Sequence, residues 1–200
     1  MSEPFSLVVF APADPQKLHT ALRAEVKPVS TFTDWDALDI FLTPADFARA
    51  DAIAPASAKR YLQDLRQSAL NDRGWRFMLD PQTGYLTITC LFWTASWPEI
   101  VSGINILRQL ILAVGDGRQG YILAHDFVFN TAGTAGVVQF QKGMSRLTGA
   151  GDTGNITTLE HATQLVKPIM ETARAVFDGG LDANSDEAQL IDQFEHLAVG

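Results

Sequence analysis

The chain has little material for covalent cross-links or membrane anchorage. Its one cysteine, Cys90, excludes a disulfide within the chain and a metal cluster built from several cysteines. The apolar run at residues 7–11 is too short for a signal peptide. No stretch approaches the roughly 18 consecutive apolar residues that would cross a bilayer. We therefore expect a cytoplasmic protein that makes no contact with a membrane.

Positive charge is also scarce. The sequence has 15 lysine and arginine residues against 23 aspartate and glutamate residues, which gives a formal net charge of -8. Sequence-independent binding to nucleic acid depends on clustered lysine and arginine, so we expect no nucleic-acid partner. The acidity fits simple solubility, and it also fits a basic protein partner.

Motifs for cofactors are weak. The G-x-G-x-x-G spacing occurs at Gly115, Gly117 and Gly120, and again at Gly149, Gly151 and Gly154. The first set follows a predicted helix and precedes a predicted strand, which reverses the order that a dinucleotide site requires. The second set lies in a predicted glycine-rich loop, residues 143–155, with no strand directly before it and no phosphate-loop lysine. We expect no cofactor and a mobile loop at 143–155.

The best catalytic candidates are His125 and Asp126. Adjacent residues of a strand point to opposite faces, so these two side chains cannot form a dyad with each other. His125 shares a face with apolar residues and is interpreted as a hydrogen-bonded core histidine. If it lines a cleft near residues 130–136, it is the best available general base, with Asp126 as the second candidate. The remaining histidines, His19, His161 and His196, lack metal-ligand spacing and are expected on the surface, so no metal site is predicted.

Apolar residues make up 46% of the chain, and their spacing predicts the secondary structure. The predicted strands are 7–10, 75–80, 85–93, 121–130 and 137–141, and the predicted helices begin at Pro15, Pro55, Trp97 and Leu159. Residues 37–42 are assigned as a further strand and 44–50 as a short helix. Pro168 is expected to kink or divide the last long helix. Cys90, on the same predicted strand face as Ile88 and Phe92, is expected to be buried and unreactive.

This order of elements predicts an α+β fold in a single domain, residues 1–180. The sheet is expected to be mixed, combining an antiparallel hairpin with a right-handed β-α-β crossover, and to be covered by helices. Residues 181–200 form an appended amphipathic tail helix after the Gly179–Gly180 joint. Its apolar positions are Leu190, Ile191, Phe194 and Leu197. Because so short a helix is marginal in water, this face must dock on its own domain, a second copy or a partner.

The absence of a strong catalytic constellation favours a protein-binding domain. By analogy of size and charge, we expect a small acidic protein of bacterial type, such as the immunity proteins that neutralise toxins. Its partner would be another protein, of basic charge, or a second copy of the chain. The candidate binding residues are Trp75, Trp93, Trp97, Leu190 and Phe194, although the tryptophans also suit the core. Two alternatives remain open: a hydrolase or transferase using His125 and Asp126, and a small-molecule-binding domain lined by the tryptophans.

Overall fold

A computed structural model describes residues 5–38, 42–69, 74–125, 134–149, 156–177 and 193–199. The strands are β1 Phe5–Pro12, β2 Trp75–Leu79, β3 Tyr85–Thr94, β4 Gly120–His125, β5 Thr134–Gln141 and β6 Met144–Gly149. The α-helices are α1 Pro15–Arg23, α2 Pro44–Ile53, α3 Ala58–Ala69, α4 Trp97–Val114, α5 Ile156–Phe177 and α6 Phe194–Val199. Two 3₁₀ helices cover Val29–Thr31 and Trp35–Leu38. None of the described helices is both long and apolar enough to cross a membrane.

The strands form one sheet in the order β2-β3-β1-β4-β5-β6. The predicted α+β class is confirmed, as is the helical connection between β3 and β4. These two strands run in the same direction, but β1 lies between them and pairs antiparallel with both. Every ladder among the described strands is therefore antiparallel, and the predicted mixed pairing is wrong. The spacing of apolar residues within β3, α4 and β4 cannot show that β1, from the start of the chain, lies between β3 and β4 in the sheet.

The sheet lies between two helical layers. On one face α4 is buried along most of its length, and α1, α2 and α3 pack around it. On the other face α5 places Ala162, Val166 and Met170 against apolar residues of the sheet. The helix continues through Pro168, so the chain is not divided there. The predicted short helix at 44–50 is confirmed as α2, whereas Trp35–Leu38 is a 3₁₀ helix and not the start of the strand predicted at 37–42.

A bulge in β3 changes which side chains share a face. Leu7 pairs with Cys90, but Phe5 pairs with Thr94, so β3 contains two extra residues between these pairs. As a result Phe92 packs on the α5 side of the sheet while Cys90 packs on the α4 side. Cys90 is completely buried, as predicted, but its predicted shared face with Phe92 is wrong.

β6 occupies residues that the sequence assigned to a loop. A two-residue turn at Lys142 and Gly143 joins it to β5, since Gln141 pairs with Met144. Both turn residues have positive φ, 54° and 75°, as the tight hairpin turn requires. The predicted loop at 143–155 is therefore wrong for Met144–Gly149, and residues 150–155 lie outside the described part of the chain.

The tail docks on its own domain. The Phe194 ring is fully buried, with its centroid 6.2 Å from the Trp75 ring and 5.1 Å from the Phe77 ring. The Gln193 N–H donates to the Phe77 carbonyl at 2.8 Å, and the Gln193 side-chain oxygen accepts from the Leu79 N–H at 3.1 Å. These contacts cover the outer edge of β2. Of the predicted tail residues, Leu190 and Ile191 lie outside the described residues.

Candidate functional site

The predicted catalytic pair falls at the end of β4. The backbone of His125 pairs with Ser6 on one side and Thr134 on the other. Asp126 and most of the 130–136 loop lie outside the described residues. The catalytic role of His125 and Asp126 therefore stays a prediction.

Two of the three predicted binding tryptophans lie in the core. Trp75 is 8% exposed and Trp93 is 9% exposed. The indole N–H of Trp93 donates to the Tyr61 hydroxyl at 2.8 Å, and burial raises the pKa of Tyr61 far above its ordinary value. Trp97 is half-buried, 5.7 Å from the Phe5 ring. Trp97 is thus the member of this set with surface to offer a partner.

Phe194, the other described binding candidate, has no exposed surface. The predicted binding role of Phe194 stays a prediction. The apolar side chain of this residue belongs to the hydrophobic core beside Trp75 and Phe77.

A buried ion pair lies beside the opposite edge of the sheet. Arg108 of α4 is 1% exposed and donates to both carboxylate oxygens of Asp34, at 2.7 and 3.0 Å. The guanidinium also donates to the Ser145 hydroxyl and lies 3.8 Å from the centre of the Phe32 ring. One Asp34 oxygen accepts the Leu147 N–H at 2.7 Å, on β6. Arg108 and Asp34 therefore join α4, the second 3₁₀ helix and the edge strand.

The environment of Asp34 favours its ionised form. Partial burial by itself would raise the pKa of this carboxyl, but the hydrogen bonds from Arg108 and from the Leu147 N–H outweigh it. The net result is a pKa below the ordinary value of 3.8. Sequence reasoning missed this pair. The available signal was an arginine within the apolar stripe of α4. Arginine is rarely buried unless it is paired, so its position predicts a partner for the guanidinium group.

A second polar cluster fixes the start of α5. The hydroxyl of Tyr121, a residue that is 1% exposed, forms a 2.9 Å hydrogen bond with Nδ1 of His161 and accepts one from the Gln119 amide. Burial raises the pKa of Tyr121. His161 is exposed, as the sequence predicted, although its ring also makes this contact with the sheet. Within the described ranges, no group of three or more side chains is placed to bind a metal.

Arg76 is a buried cation of a different kind. It is 5% exposed on the α5 side of the sheet, and its Nη2 donates to the Thr172 carbonyl at 3.1 Å. Its Nε has no hydrogen-bond partner, and neither does the hydroxyl of Thr89, the residue paired with it across β2 and β3. Burial lowers the pKa of Arg76. Unlike Arg108, Arg76 forms no ion pair with a described carboxylate.

The second glycine spacing has a different context from the one expected. β6 ends at Gly149 and α5 begins at Ile156, so a strand precedes Gly151 and Gly154 and a helix follows them. The expectation that no strand precedes these glycines is therefore wrong. The phosphate-loop lysine is still missing from the sequence, and β6 is an edge strand in an antiparallel sheet. The expected absence of nucleotide binding stays a prediction.

A cleft of about 370 Å³ lies between α1, α4 and the connection that follows α1. Its floor includes Ile106 and Leu110, which are buried, and Glu25 and Lys27 also line it. Four small residues contribute to its walls: Ala21, Ala24, Ala58 and Ala113. Local sequence patterns do not indicate this cleft, because its lining residues come from four separate stretches of the chain.

The connection beside the cleft is firmly held. The Lys27 N–H donates to the Gln109 side-chain oxygen at 2.9 Å. The Lys27 carbonyl accepts from the amide groups of Asn105 and Gln109, each at 2.9 Å. Glu25 forms an isolated bridge with Ser57. Helix α4 thus supplies the hydrogen bonds that a strand would otherwise supply to this backbone.

The negative charge is unevenly distributed along the chain. Residues 178–200 contain six aspartate and glutamate residues and no lysine or arginine. Residues 1–177 are close to balanced, with 17 acidic and 15 basic residues. Most of the net charge therefore belongs to residues 178–200, the part of the sequence that includes Gln193 and Phe194.

Comparison with known proteins identifies no relative. The chain matches no protein-family model, no curated protein and no solved structure. The arguments for function therefore come from the residues, their geometry and their charge.

Proposed function

We propose that this protein is a protein-binding domain whose partner is basic, and that the acidic residues between positions 178 and 192 make the main electrostatic contact. The observation that carries the proposal is the charge distribution. This stretch has five acidic residues, Asp178, Asp182, Asp186, Glu187 and Asp192, and no basic ones. A concentration of like charge is typical of segments that interact with an oppositely charged partner.

The attachment of the neighbouring residues supports this role. Phe194 is buried against the rings of Trp75 and Phe77, and Gln193 is hydrogen-bonded to β2 through both its backbone and its side chain. On the other side, α5 contacts the sheet through Ala162, Val166 and Met170. In the sequence, the acidic stretch therefore lies between two described elements of the folded domain, α5 and the residues that begin at Gln193.

Electrostatic complementarity of this kind acts mainly on specificity and on the rate of association. A basic surface would be attracted before contact, and salt would screen that attraction over a distance of about 10 Å at 0.1 M. Within this class, a cytoplasmic protein of the immunity kind, which neutralises a toxin by binding it, fits the size and acidity best. That finer assignment rests on analogy.

The test starts from capture of a partner by the immobilised full chain, followed by identification and purification of that partner. Its affinity is then measured for wild type and for a variant with the five acids neutralised (Asp178→Asn, Asp182→Asn, Asp186→Asn, Glu187→Gln, Asp192→Asn). We expect the variant to bind at least about tenfold more weakly, equivalent to about 1.4 kcal/mol.

A matched control neutralises five exposed acids elsewhere: Asp36, Asp64, Asp116, Glu160 and Glu171. Both variants change the net charge by the same amount, so a general charge effect would weaken binding equally in both. We expect the control to bind within about threefold of wild type, because exposed charges outside an interface contribute little. Equal losses in the two variants, or no loss in either, would contradict the proposal.

A further inference from the structure

We propose that the cleft between α1 and α4 binds a small apolar molecule that carries both an ammonium and a carboxylate group, the chemistry of an apolar amino acid. None of the residues that line this cleft belongs to the acidic stretch, and the proposal does not depend on the protein-binding role. Three features of the described residues carry it: the size of the cleft, the pair of charges beside it and the rigidity of its wall.

The size and lining of the cleft suit a small apolar group. Its volume of about 370 Å³ lies near the lower end of the range for ligand pockets. Ile106 and Leu110 supply a buried apolar floor, and Phe32 and Val26 add to the apolar lining. The alanine walls leave space that larger side chains would fill. A branched or aromatic side chain placed here would remove apolar surface from water on both partners.

The charges beside the cleft are of opposite sign. Glu25 and Lys27 both line it, two residues apart in the chain. Neither side chain forms an ion pair with another described residue. A ligand with one charge would leave one of these groups without a counterpart, whereas a ligand with an ammonium and a carboxylate matches both. Because both side chains are exposed, we expect the charges to decide selectivity more than affinity.

The wall that carries these charges is fixed before any ligand binds. Asn105 is completely buried, and its amide donates to the Lys27 carbonyl; Gln109 bonds both the N–H and the carbonyl of Lys27. The Val26 N–H donates to the Ala56 carbonyl at 3.2 Å. A preorganised wall loses little conformational freedom on binding, which favours binding of a small ligand.

The first experiment measures the melting temperature of the full chain with three probes. These are L-leucine, L-leucinamide, which lacks the carboxylate, and 4-methylpentanoate, which lacks the ammonium group. A ligand that binds the native state raises the melting temperature with concentration. We expect L-leucine to raise it, and each analogue to require at least about threefold higher concentration for the same rise. The proposal would be overturned if leucine, isoleucine and phenylalanine all failed to raise the melting temperature. It would also be overturned if L-leucine, L-leucinamide and 4-methylpentanoate raised it equally.

Charge variants assign the two ends of the ligand. Lys27→Gln should weaken the response to L-leucine by about threefold and leave the response to L-leucinamide unchanged. Glu25→Gln should weaken the response to L-leucine and leave the response to 4-methylpentanoate unchanged. The assignment of the charges is wrong if Lys27→Gln weakens the response to L-leucinamide as strongly as the response to L-leucine. It is also wrong if Glu25→Gln weakens the response to 4-methylpentanoate as strongly as the response to L-leucine.

A steric variant tests the location. Ala113 is exposed and lines the cleft, so Ala113→Phe should fill it and abolish the response to leucine. Ala52 is exposed on α2 outside the cleft, and Ala52→Phe is the matched control that should keep the response. Amide resonances of the wild type give an independent readout: leucine should shift those of Val26, Lys27 and Ala113. Shifts confined to other parts of the chain would overturn the assignment to this cleft.

Discussion

Removal of the Asp34 carboxylate should destabilise the protein more than a substitution of a partly exposed residue usually does. Asp34→Ala leaves the Arg108 guanidinium, 1% exposed, without its counter-charge and leaves the Leu147 N–H without its acceptor. Breaking a buried ion pair from one side costs about 3–5 kcal/mol. Because the Asp34 side chain is itself 30% exposed, water can replace part of the lost interaction, and we expect about 2–3 kcal/mol.

The partner substitution separates the pair from its surroundings. Arg108→Met removes the charge, the bonds to Ser145 and the contact with Phe32, and it should cost a similar amount. The double variant Asp34→Ala/Arg108→Met leaves no buried charge unpaired, so its cost should be smaller than the sum of the two single costs by at least about 1 kcal/mol. Urea unfolding of the three variants measures these free energies of unfolding directly. Additive costs, or a cost below about 1 kcal/mol for Asp34→Ala, would refute the reasoning.

The pH dependence of stability gives an independent check on the same pair. The pKa of Asp34 is lower in the folded protein than its ordinary value of 3.8. A lowered pKa contributes stability that is complete above the unfolded value and is lost as the pH falls through the folded value. The difference in unfolding free energy between wild type and Asp34→Asn should therefore be constant above about pH 5 and shrink below about pH 3.8. A difference that does not change with pH would contradict the ion-pair explanation.

Three further predictions depend on burial and hydrogen bonding, and a fourth depends on the glycine spacing after β6. Cys90 is completely buried, so a thiol reagent should label the native protein slowly and the unfolded protein rapidly, and Cys90→Ala should cost about 1–2 kcal/mol. Phe194→Ala should cost about 3–5 kcal/mol in urea unfolding, because the buried ring packs edge-on against both Trp75 and Phe77; a cost below about 1 kcal/mol would show that the tail is not part of the core. Arg76→Met should change stability by less than about 1 kcal/mol, in contrast to Arg108→Met, since Arg76 has an unpartnered Nε and no described counter-charge. Addition of ATP or NAD should leave the melting temperature unchanged; a rise that Gly151→Val abolishes would show that the segment after β6 binds nucleotide.

Much of the secondary structure could be predicted because it depends on local pattern. The alternation in Trp75–Leu79 and Tyr85–Thr94 specified the β2–β3 hairpin, and the apolar stripe of Trp97–Val114 specified a buried helix. The Asp14 cap and Pro15 at the start of α1 likewise came from neighbouring residues. In each case the residues that determine the structure lie within a few positions of one another.

What the sequence did not specify depends on contacts between distant residues. The insertion of β1 between β3 and β4 is a property of the whole sheet, and the bulge opposite Phe5 and Leu7 is a property of a pair of strands. β6 was missed because its turn uses Lys142 and Gly143 in place of the more usual Asn-Gly. The pairing of Asp34 with Arg108 spans 74 residues and has no local signature.

For the candidate sites too, features that depend on neighbouring residues could be predicted, and features that depend on distant contacts could not. The sequence correctly indicated that His161 is exposed, but not that it contacts the Tyr121 hydroxyl. The sequence positions of the tryptophans suit both the core and a binding surface, and burial places Trp75 and Trp93 in the core. The cleft could not be anticipated, because Glu25 and Ala113 meet only after α1 and α4 pack together.

The salt dependence of association tests the proposed function most directly. The association rate constant of wild type with its purified partner is compared with that of the five-acid variant between about 50 and 300 mM salt. The account predicts that the wild-type rate falls steeply with salt, that the variant is slower at low salt, and that the two rates converge at high salt. A wild-type rate that does not depend on salt, or identical rates for the two proteins at low salt, would contradict it.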